Sequence, residues 1–359
     1  MSAIELAWYG CDMRSGRIAE ELRSFKGGAL SRKLGASTSM SGTLVVSGAP
    51  GGWEAATDPG RTMLVAVDVA TGVPIWCGLT LVRVGGSGSE VTLTAATPEI
   101  YLDRRYPGSY TATATDQTAV MAALATPALS DGPPLTLDTT STGVLIDYTM
   151  DDSEDRTILS GWQEVSQMES GPEWIIDVVW GDAAQTKFAL VARIAPTIGI
   201  VTSQPASVFD LPGCIQSYSL TESYEKGRGA TSVIARGERS SDVRATSSVH
   251  EATSLLDGGW ALWEERFSPA SGITDTTQLD RHAAEALALM GTGSRAWALE
   301  AVASQAPRLG TDWALGDSIG VHVTASPRNP AGIQTVARAY AWSLDVDSNR
   351  VTPTLLEDE

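Results

Sequence analysis

Short apolar segments separated by turn residues fill roughly the first hundred positions, and this alternation restricts the possible folds more than any other sequence feature. Residues 63–69 and 73–84 flank a tight turn, which predicts a β-hairpin. A Gly- and Ser-rich turn at 85–88 leads into residues 91–95, where apolar and polar side chains alternate as in a half-buried strand. Because no long helix interrupts these strands, the pattern predicts an antiparallel barrel or sandwich.

The strand-and-turn pattern returns farther along the chain. Residues 174–180 and 187–194 predict a second hairpin. Further predicted strands are 143–150, 215–220, 231–235, 297–303, 319–324, 335–344 and 351–355. The fold class predicted from these segments is mainly β with α-containing insertions, and the similar plan of the two ends suggests two β-barrels.

Three segments have the periodicity of amphipathic helices. The first follows Asp116, which is a suitable N-cap residue. The second is entered through the acidic run 151–155, whose charge suits the positive end of a helix dipole. The third begins at Asp275 or Thr276 and ends at Gly291. The predicted apolar positions of these helices are Val120, Met121, Leu124; Ile158, Trp162, Val165; and Leu279, Ala283, Ala286, Leu287, Met290.

Composition limits the classes of protein that the chain can belong to. With 359 residues, 43% of them hydrophobic, the chain is long enough for two or three domains with real cores. Its formal net charge of −18 opposes non-specific nucleic-acid binding, because phosphates need cationic partners. An acidic wall would still allow DNA to slide past without sticking, and a merely solvated acidic surface is the alternative explanation.

The cysteines and the N-terminus give no sign of secretion or membrane insertion. Cys11, Cys77 and Cys214 are far apart, so they predict neither a disulfide framework nor a metal-binding pair. The first residues lack a basic region ahead of an apolar core, and no apolar stretch approaches the length that spans a bilayer. We expect no signal peptide, no membrane span and synthesis in the cytoplasm.

The search for catalytic chemistry yields no candidate catalytic, cofactor-binding or metal-binding residue. His250, His282 and His322 do not form a metal-binding spacing such as HExxH. The turn around Ser87 lacks the last glycine of a nucleophile elbow and lies between predicted strands. No phosphate-binding glycine loop opens a predicted helix. The chain is therefore predicted to be a non-enzyme without cofactors.

Two residue classes keep alternative functions open. Glu264 and Glu265, or the acidic run 151–155, are candidates for the paired carboxylates of a glycosidase, although adjacent acids do not fix the separation that glycoside cleavage requires. Eleven tryptophans can form a carbohydrate platform or fill barrel interiors and subunit interfaces. Those in or beside predicted strands are Trp174, Trp180, Trp297, Trp313 and Trp342.

Several motifs resemble those of siphophage minor tail proteins, in particular the tail-tip (baseplate) hub family of actinobacterial phages. The segment 311–321, TDWALGDSIGV, resembles the W-x-L-G-D-x-(V/I) turn near the end of these hub proteins. Residues 8–18 resemble the start of the family, and 73–78, VPIWCG, resembles its pvW-x-G strand. The segment 101–105 resembles the end of its first barrel. The order of these motifs spans essentially the whole chain.

The resemblance implies a domain layout. The first tail-tube-like β-barrel would comprise residues 1–108, and an α+β insertion domain would follow at 109–205. The second barrel would be split between 206–239 and 294–359, around a helical insertion at 240–293. The family also implies a homotrimer, in which two barrels per chain give a ring with six-fold-like symmetry that continues a hexameric tail tube.

The resemblance further implies partners and a role. The expected partners are other copies of the chain, the distal tail protein, the tape-measure protein and other tail-tip or central-fibre proteins, with DNA only as passing cargo during genome ejection. We expect the protein at the tail tip of the virion, with much of its negative charge lining the channel. We expect no lysozyme or peptidase module after the second barrel. A receptor- or carbohydrate-binding minor tail protein and a tail-associated cell-wall hydrolase remain the alternatives.

Overall fold

The fold is mainly β with helix-containing insertions, as the sequence predicts. The computed structural model describes residues 4–240, 243–269 and 275–357. Two seven-stranded sheets form its frame, and three smaller sheets lie in the segments between and within them. No helix in these three ranges combines the length and apolarity needed to cross a membrane.

The first large sheet is built entirely from the N-terminal part of the chain. Its strands are β1 (Leu6–Asp12), β2 (Ile18–Glu21), β3 (Phe25–Gly27), β5 (Ser39–Val45), β6 (Thr62–Asp68), β7 (Pro74–Val84) and β8 (Glu90–Ala96), in the order β2-β1-β6-β7-β8-β5-β3. The edge strands β2 and β3 are joined by residues 22–24, a span of about 14 Å at most when extended. The sheet must therefore curl until its two edges approach each other.

The predicted strands of this region are confirmed, and one further strand leaves the sheet. The pairs β6–β7 and β7–β8 are antiparallel, with the Gly-rich turn between β7 and β8. The additional strand β4 (Leu30–Lys33) pairs instead with a strand near the C-terminus, with Arg32 opposite Trp342. A short helix α1 (Trp53–Ala56) packs beside β1 and β2. Gly10 allows this contact, because an added Cβ would lie 2.3 Å from the Ala56 carbonyl oxygen.

An α+β segment follows the first sheet and covers part of its outer face. Its elements are α2 (Glu99–Leu102), β9 (Tyr110–Asp116), α3 (Gln117–Ala125), β10 (Leu135–Thr139), β11 (Leu145–Met150), α4 (Ile158–Ser166), β12 (Glu173–Trp180) and β13 (Phe188–Ala195). Strands β10, β13 and β12 form one sheet, and β9 and β11 form another. Met63, Val65 and Cys77 on β6 and β7 join the hydrophobic core of this segment. The hairpin predicted at 174–194 is confirmed by β12 and β13.

The acidic run at 151–155 differs from the prediction. The run does not enter α4 directly but forms a separate 3-10 turn, Asp152–Glu154, in which the Asp151 side chain accepts a hydrogen bond from the Ser153 N–H. Thr157 is the N-cap of α4, accepting from the Ser160 N–H. Threonine is also a favourable N-cap residue, so a prediction based on the acidic residues alone starts the helix several residues before Thr157.

The second large sheet combines the chain after residue 206 with β4. It contains β14 (Val208–Leu211), β15 (Ile215–Ser223), β20 (Ser294–Val302), β21 (Ser318–Val323), β22 (Ile333–Asp345) and β23 (Arg350–Leu356). Their order is β14-β21-β22-β23-β20-β15, with β4 beside β22. The inner faces of both large sheets contribute to one hydrophobic core, in which Trp76, Trp297 and Trp313 are buried.

A smaller unit lies between β15 and β20. It consists of β16 (Ser232–Ser240), β17 (Val243–Thr246), β18 (His250–Glu251), α5 (Thr253–Asp257), β19 (Glu264–Phe267) and α6 (Thr276–Met290). Helix α6 packs on β16 and begins with Asp275 as its N-cap, as predicted. Strand β16 pairs with β17, β18 and β19 rather than with β15. Part of the predicted 240–293 insertion lies outside the described residues.

Candidate functional surface

The two large sheets have the same strand order, which is the first clue to function. With β2 and β4 left out, each sheet has six strands, and when these are numbered along the chain both sheets have the order 1-4-5-6-3-2. The first sheet reads β1-β6-β7-β8-β5-β3, and the second reads β14-β21-β22-β23-β20-β15. One pairing differs, since β1 is antiparallel to β6 and β14 is parallel to β21. A shared order of six strands indicates that the chain contains two copies of one architectural unit.

The first sheet exposes a band of hydroxylated side chains beyond the part that the α+β segment covers. Strands β5 and β8 alternate strictly, with Met40, Leu44 and Leu93 buried in the shared core. Their opposite face is formed by Ser39, Ser41, Thr43, Thr92 and Thr94, which we call hydroxyl face A. Ser41 and Thr94 are register partners, and their hydroxyls lie 2.9 Å apart. Val82 and Val84 of β7 are exposed beside Thr94 and Thr92.

Equivalent strands of the second sheet expose a similar surface. On β15, β20 and β23 most side chains that point away from the core are small, with acids, arginines, Val302 and Leu356 at the margins. We call the set Ser217, Ser219, Thr221, Thr352 and Thr354 hydroxyl face B. Ala296 and Ala298 lie between these strands in register with Thr221 and Ser219. The two units therefore share a smooth, short-chained polar face as well as a strand order.

The W-x-L-G-D turn has a structural role. Trp313 is buried edge-on against Phe209, and its indole N–H donates to the Pro307 carbonyl at 3.0 Å. Asp317 accepts from the Ala314 N–H at 2.8 Å and from the Ile200 N–H at 2.7 Å. Gly316 has φ +88°, and a Cβ there would lie 2.0 Å from the Ile198 carbonyl oxygen. The turn thus fastens the end of the α+β segment to the second large sheet.

A half-buried guanidinium strengthens the same junction. Arg338 of β22 pairs with Glu173 through two contacts, Nη1–Oε1 at 2.8 Å and Nη2–Oε2 at 2.7 Å. The same side chain donates to the carbonyl oxygens of Ile198 and Gly316. Bidentate pairs of this kind fix orientation as well as distance. The junction between the α+β segment and the second sheet is therefore held by directed polar contacts.

The strand-associated tryptophans lie mainly in the interior, as the packing alternative predicts. Trp174, Trp297, Trp313 and Trp342 are buried, and Trp180 is half-buried and stacked on Phe188. Trp76 of the VPIWCG strand donates to the Ser31 carbonyl of β4. These rings do not form a surface platform.

The groups considered for catalysis are not brought together. Across residues 4–240, 243–269 and 275–357, no cluster of three His, Cys, Asp or Glu side chains is placed to hold a metal ion. The three cysteines are buried, and desolvation raises the pKa of Cys77 to about 12 and that of Cys214 to about 11, which disfavours the nucleophilic thiolate. Glu265 is buried and accepts the Gly227 N–H. His282 is buried, with its Nε2 3.9 Å from Glu169.

Comparison with solved structures shows a fold shared with phage tail proteins. The tail protein from Neisseria meningitidis MC58 superposes with a TM-score of 0.65 at 12% identity, over 98% of this chain and 96% of the other. The 43 kDa tail protein of prophage MuSo2 from Shewanella oneidensis gives 0.60 at 10% identity, over 98% of each chain. The prophage tail protein gp18 from Listeria monocytogenes gives 0.57 at 10% identity, over 99% and 95%.

These similarities extend over nearly the full length of all the chains, so they concern the whole architecture rather than one sheet. No protein-family profile and no curated protein sequence matches the chain. The resemblance to phage tail proteins, which the sequence motifs suggest, is confirmed at the level of the fold. The motifs did not indicate the two hydroxyl faces, although the alternating Ser and Thr of residues 39–43 and 92–94 were a usable signal.

Proposed function

We propose that the chain is a structural component of the phage tail tip, a hub in which three copies form a ring that continues the tail tube. The observation that carries this proposal is the strand order common to both large sheets. Three chains with two equivalent units each would offer six similar sheets around an axis, which suits contact with a hexameric tube. The role is mechanical rather than catalytic.

The hydroxyl faces suit the wall of such a channel. Short serine and threonine side chains offer weak, exchangeable hydrogen bonds and no cation that would hold a phosphate. Glu90 and Glu300 are exposed at the margins of faces A and B, and Glu300 accepts a hydrogen bond from Ser217. We propose that these faces line the channel. Their margins carry both signs of charge, since Arg350 pairs with Glu300 and Lys26 lies opposite Thr43, so the described residues of these margins form no large cationic patch that would hold passing DNA.

The hub proposal extends to the domain layout of the chain and to its neighbours in the tail. We propose the division into a first unit at 1–108, an α+β insertion at 109–205, a split second unit at 206–239 and 294–359, and an insertion at 240–293. Strand β16, at the end of the 206–239 segment, pairs with strands of the insertion, so the contacts of the second large sheet end with β15 at Ser223. The distal tail protein, the tape-measure protein and central-fibre proteins of a siphovirus are the proposed neighbours. In this arrangement we place the insertions on the outer part of each chain; the α+β segment packs on Met63, Val65 and Cys77, which do not belong to hydroxyl face A.

The ring is tested by measuring the mass of the purified full chain and imaging it by electron microscopy, alone and with the distal tail protein. We expect particles of three chains with six-fold-like projections. Particles that remain monomeric with the partner present, or that have an even number of chains, would contradict the ring.

The channel wall is tested by single-cysteine labelling, because the native cysteines are buried. Thr94→Cys on hydroxyl face A, labelled with a bulky maleimide before tail assembly, should leave assembly intact and block genome ejection. Thr140→Cys, in an exposed position of the α+β segment, is the matched control and should permit ejection. Equal ejection from both labelled variants would show that face A does not line the channel.

A further inference from the structure

An exposed aromatic cluster lies where the small unit meets the end of β15, beside Thr221 of hydroxyl face B. Trp260 and Trp263 are 44% and 54% exposed, although large aromatic residues usually bury most of their surface. The ring of Tyr224 lies 5.2 Å from that of Trp260 and 6.1 Å from that of Trp263. Neither tryptophan belongs to the hydrophobic core of the unit. The cluster therefore contributes ring surface to solvent rather than to folding.

Hydrogen bonds hold the backbone of Trp263 and the ring of Tyr224 in place. The backbone N–H of Trp263 donates to the Thr231 hydroxyl at 2.7 Å, and its carbonyl accepts from the backbone N–H groups of Thr231 and Ser232. The Tyr224 hydroxyl donates to the Gly291 carbonyl at 3.2 Å. Gly229 allows the tyrosine ring to lie against the backbone, because a Cβ there would be 2.3 Å from the ring. Fixed rings lose little conformational entropy when a ligand binds.

A groove of about 710 Å³ runs along this cluster and combines ring faces with polar side chains. Tyr224 and Trp263 form part of its wall, and the other polar residues include Glu222, Glu225, Lys226 and Glu264. A volume of this size accommodates a ligand of several rings. The groove combines flat apolar surface with hydrogen-bonding groups. It therefore suits a ligand in which every building block has an apolar face and hydrogen-bonding groups of its own.

We propose that this aromatic groove binds a glycan made of neutral or amino sugars. A pyranose ring has an apolar C–H face that packs on an aromatic ring and an edge of hydroxyls that donate to carboxylates. The groove contains four glutamates, Glu222, Glu225, Glu264 and Glu265, and one lysine, Lys226. Glu222 pairs with Arg295 and Arg328, and Glu264 pairs with Arg266. Glu225 and Glu265 outnumber Lys226 beside these ion pairs, and the remaining negative charge disfavours phosphate, sulfate and uronate groups.

The test uses the full-length protein and defined oligosaccharides, with binding followed by tryptophan fluorescence and calorimetry. The probes are an N-acetylglucosamine tetramer, a neutral glucose oligomer, a chitosan oligomer and, as the anionic comparison, heparin. We expect at least one of the first three to bind and heparin not to bind. Trp263→Ala should weaken that binding at least about tenfold, because it removes the ring face.

Two controls separate binding from folding. Tyr106→Ala removes an equally exposed ring outside the groove and should leave the affinity unchanged. Both variants should unfold at the wild-type temperature, since the deleted rings are solvent-exposed. The proposal is overturned if no neutral or amino-sugar probe binds, if Trp263→Ala binds as the wild type does, or if heparin binds best. It is also overturned if Trp263→Ala abolishes capture of a tail protein and no glycan binds. The mass of the ring reports on the hub function independently of these outcomes.

Discussion

Arg308 and Asp68 form a buried bidentate ion pair although they are 240 positions apart in the chain, with Nε–Oδ2 at 2.5 Å and Nη2–Oδ1 at 2.6 Å. Their side chains are only 9% and 1% exposed. Desolvation alone would raise the pKa of Asp68, but hydrogen bonds from Arg308, the Ala70 N–H and Thr71 lower it below its usual range. The pair joins the end of β6 to the loop between β20 and β21, and so joins the two large sheets.

Removing one partner of this pair should be strongly destabilising. Asp68→Asn removes the carboxylate that makes two contacts with the buried Arg308 guanidinium, and we expect the free energy of unfolding to fall by about 3–5 kcal/mol. Urea unfolding measures the change. Asp131→Asn breaks the exposed Arg14–Asp131 pair, whose side chains are 71% and 77% exposed, and should cost less than about 1 kcal/mol. Equal losses in the two variants would show that burial does not determine the contribution of the Asp68 pair.

Gly316 should tolerate no side chain, for two separate reasons. Its φ of +88° strains any L-residue, and a Cβ would overlap the Ile198 carbonyl. Gly60 has a similar φ of +73° with no atom near its Cβ position, so it isolates the conformational part. We expect Gly60→Ala to cost about 1 kcal/mol and Gly316→Ala several kcal/mol more, measured by thermal and urea unfolding. If the two alanine variants are equally stable, the close approach of Gly316 to Ile198 is not a constraint on the fold.

Local patterns were sufficient to predict the elements whose partners are adjacent in the chain. The hairpin of β12 and β13 and helix α6 follow from alternation, helical periodicity and a capping residue, all of which act over a few residues. The pairing of β4 with β22 was not predictable in this way. Residues 30–33 form too short a segment to reveal a partner near the C-terminus, and strand pairing depends on the tertiary fold.

The candidate surfaces were likewise only partly predictable from local sequence patterns. The hydroxyl faces are visible as alternating Ser and Thr, but which side of a strand is open depends on what the α+β segment covers. Trp260 and Trp263 lie in a stretch without strand or helix periodicity, so nothing local distinguishes an exposed ring from a core ring. Only the folded arrangement brings Tyr224 beside them.

His282 should make the protein less stable in mildly acidic solution. Burial lowers its pKa below the usual 6.5, although the negative charges of Glu169 and Glu285 oppose the shift and Arg281 adds to it. The unfolded chain therefore takes up a proton near pH 6.5 while the folded chain still resists it, and the free energy of unfolding falls as the pH drops below that value. Urea unfolding between pH 7.5 and 5 measures this slope, and His282→Gln should reduce it.

Glu169 gives a second variant for the same prediction. Glu169→Gln removes the charge that favours protonated His282, so the loss of stability with falling pH should become steeper than in the wild type. The prediction is wrong if the wild type gains stability relative to His282→Gln as the pH falls from 7 to 5. That result would show that the fold favours the protonated form of His282.

Asp116 should stabilise the start of α3 through its charge. Its carboxylate accepts from the Thr118 N–H at 2.9 Å, the Gly143 N–H at 2.9 Å and the Ser141 hydroxyl at 2.7 Å. Burial acts to raise the pKa of Asp116, but these donors lower it far more. The contribution is therefore present above about pH 4 and is lost as the pH falls through the lowered pKa.

Asp116→Ala tests this role. We expect the free energy of unfolding at pH 7 to fall by about 1–2 kcal/mol, and the variant to lose less stability than the wild type between pH 4 and 2. Asp138→Ala, at an exposed strand position, should change neither quantity appreciably. Parallel acid titrations of the two variants would disprove the capping role.

Strand β4 belongs to the first unit in sequence but pairs with β22 in the second sheet, so the two units are not independent modules. If the first unit were produced alone, β4 (Leu30–Lys33) would be an unpaired strand. The second unit produced alone would lack the strand that pairs with the end of β22. Each fragment would then have an open template for intermolecular pairing. The two units must therefore be kept as a linked pair, inherited and folded together.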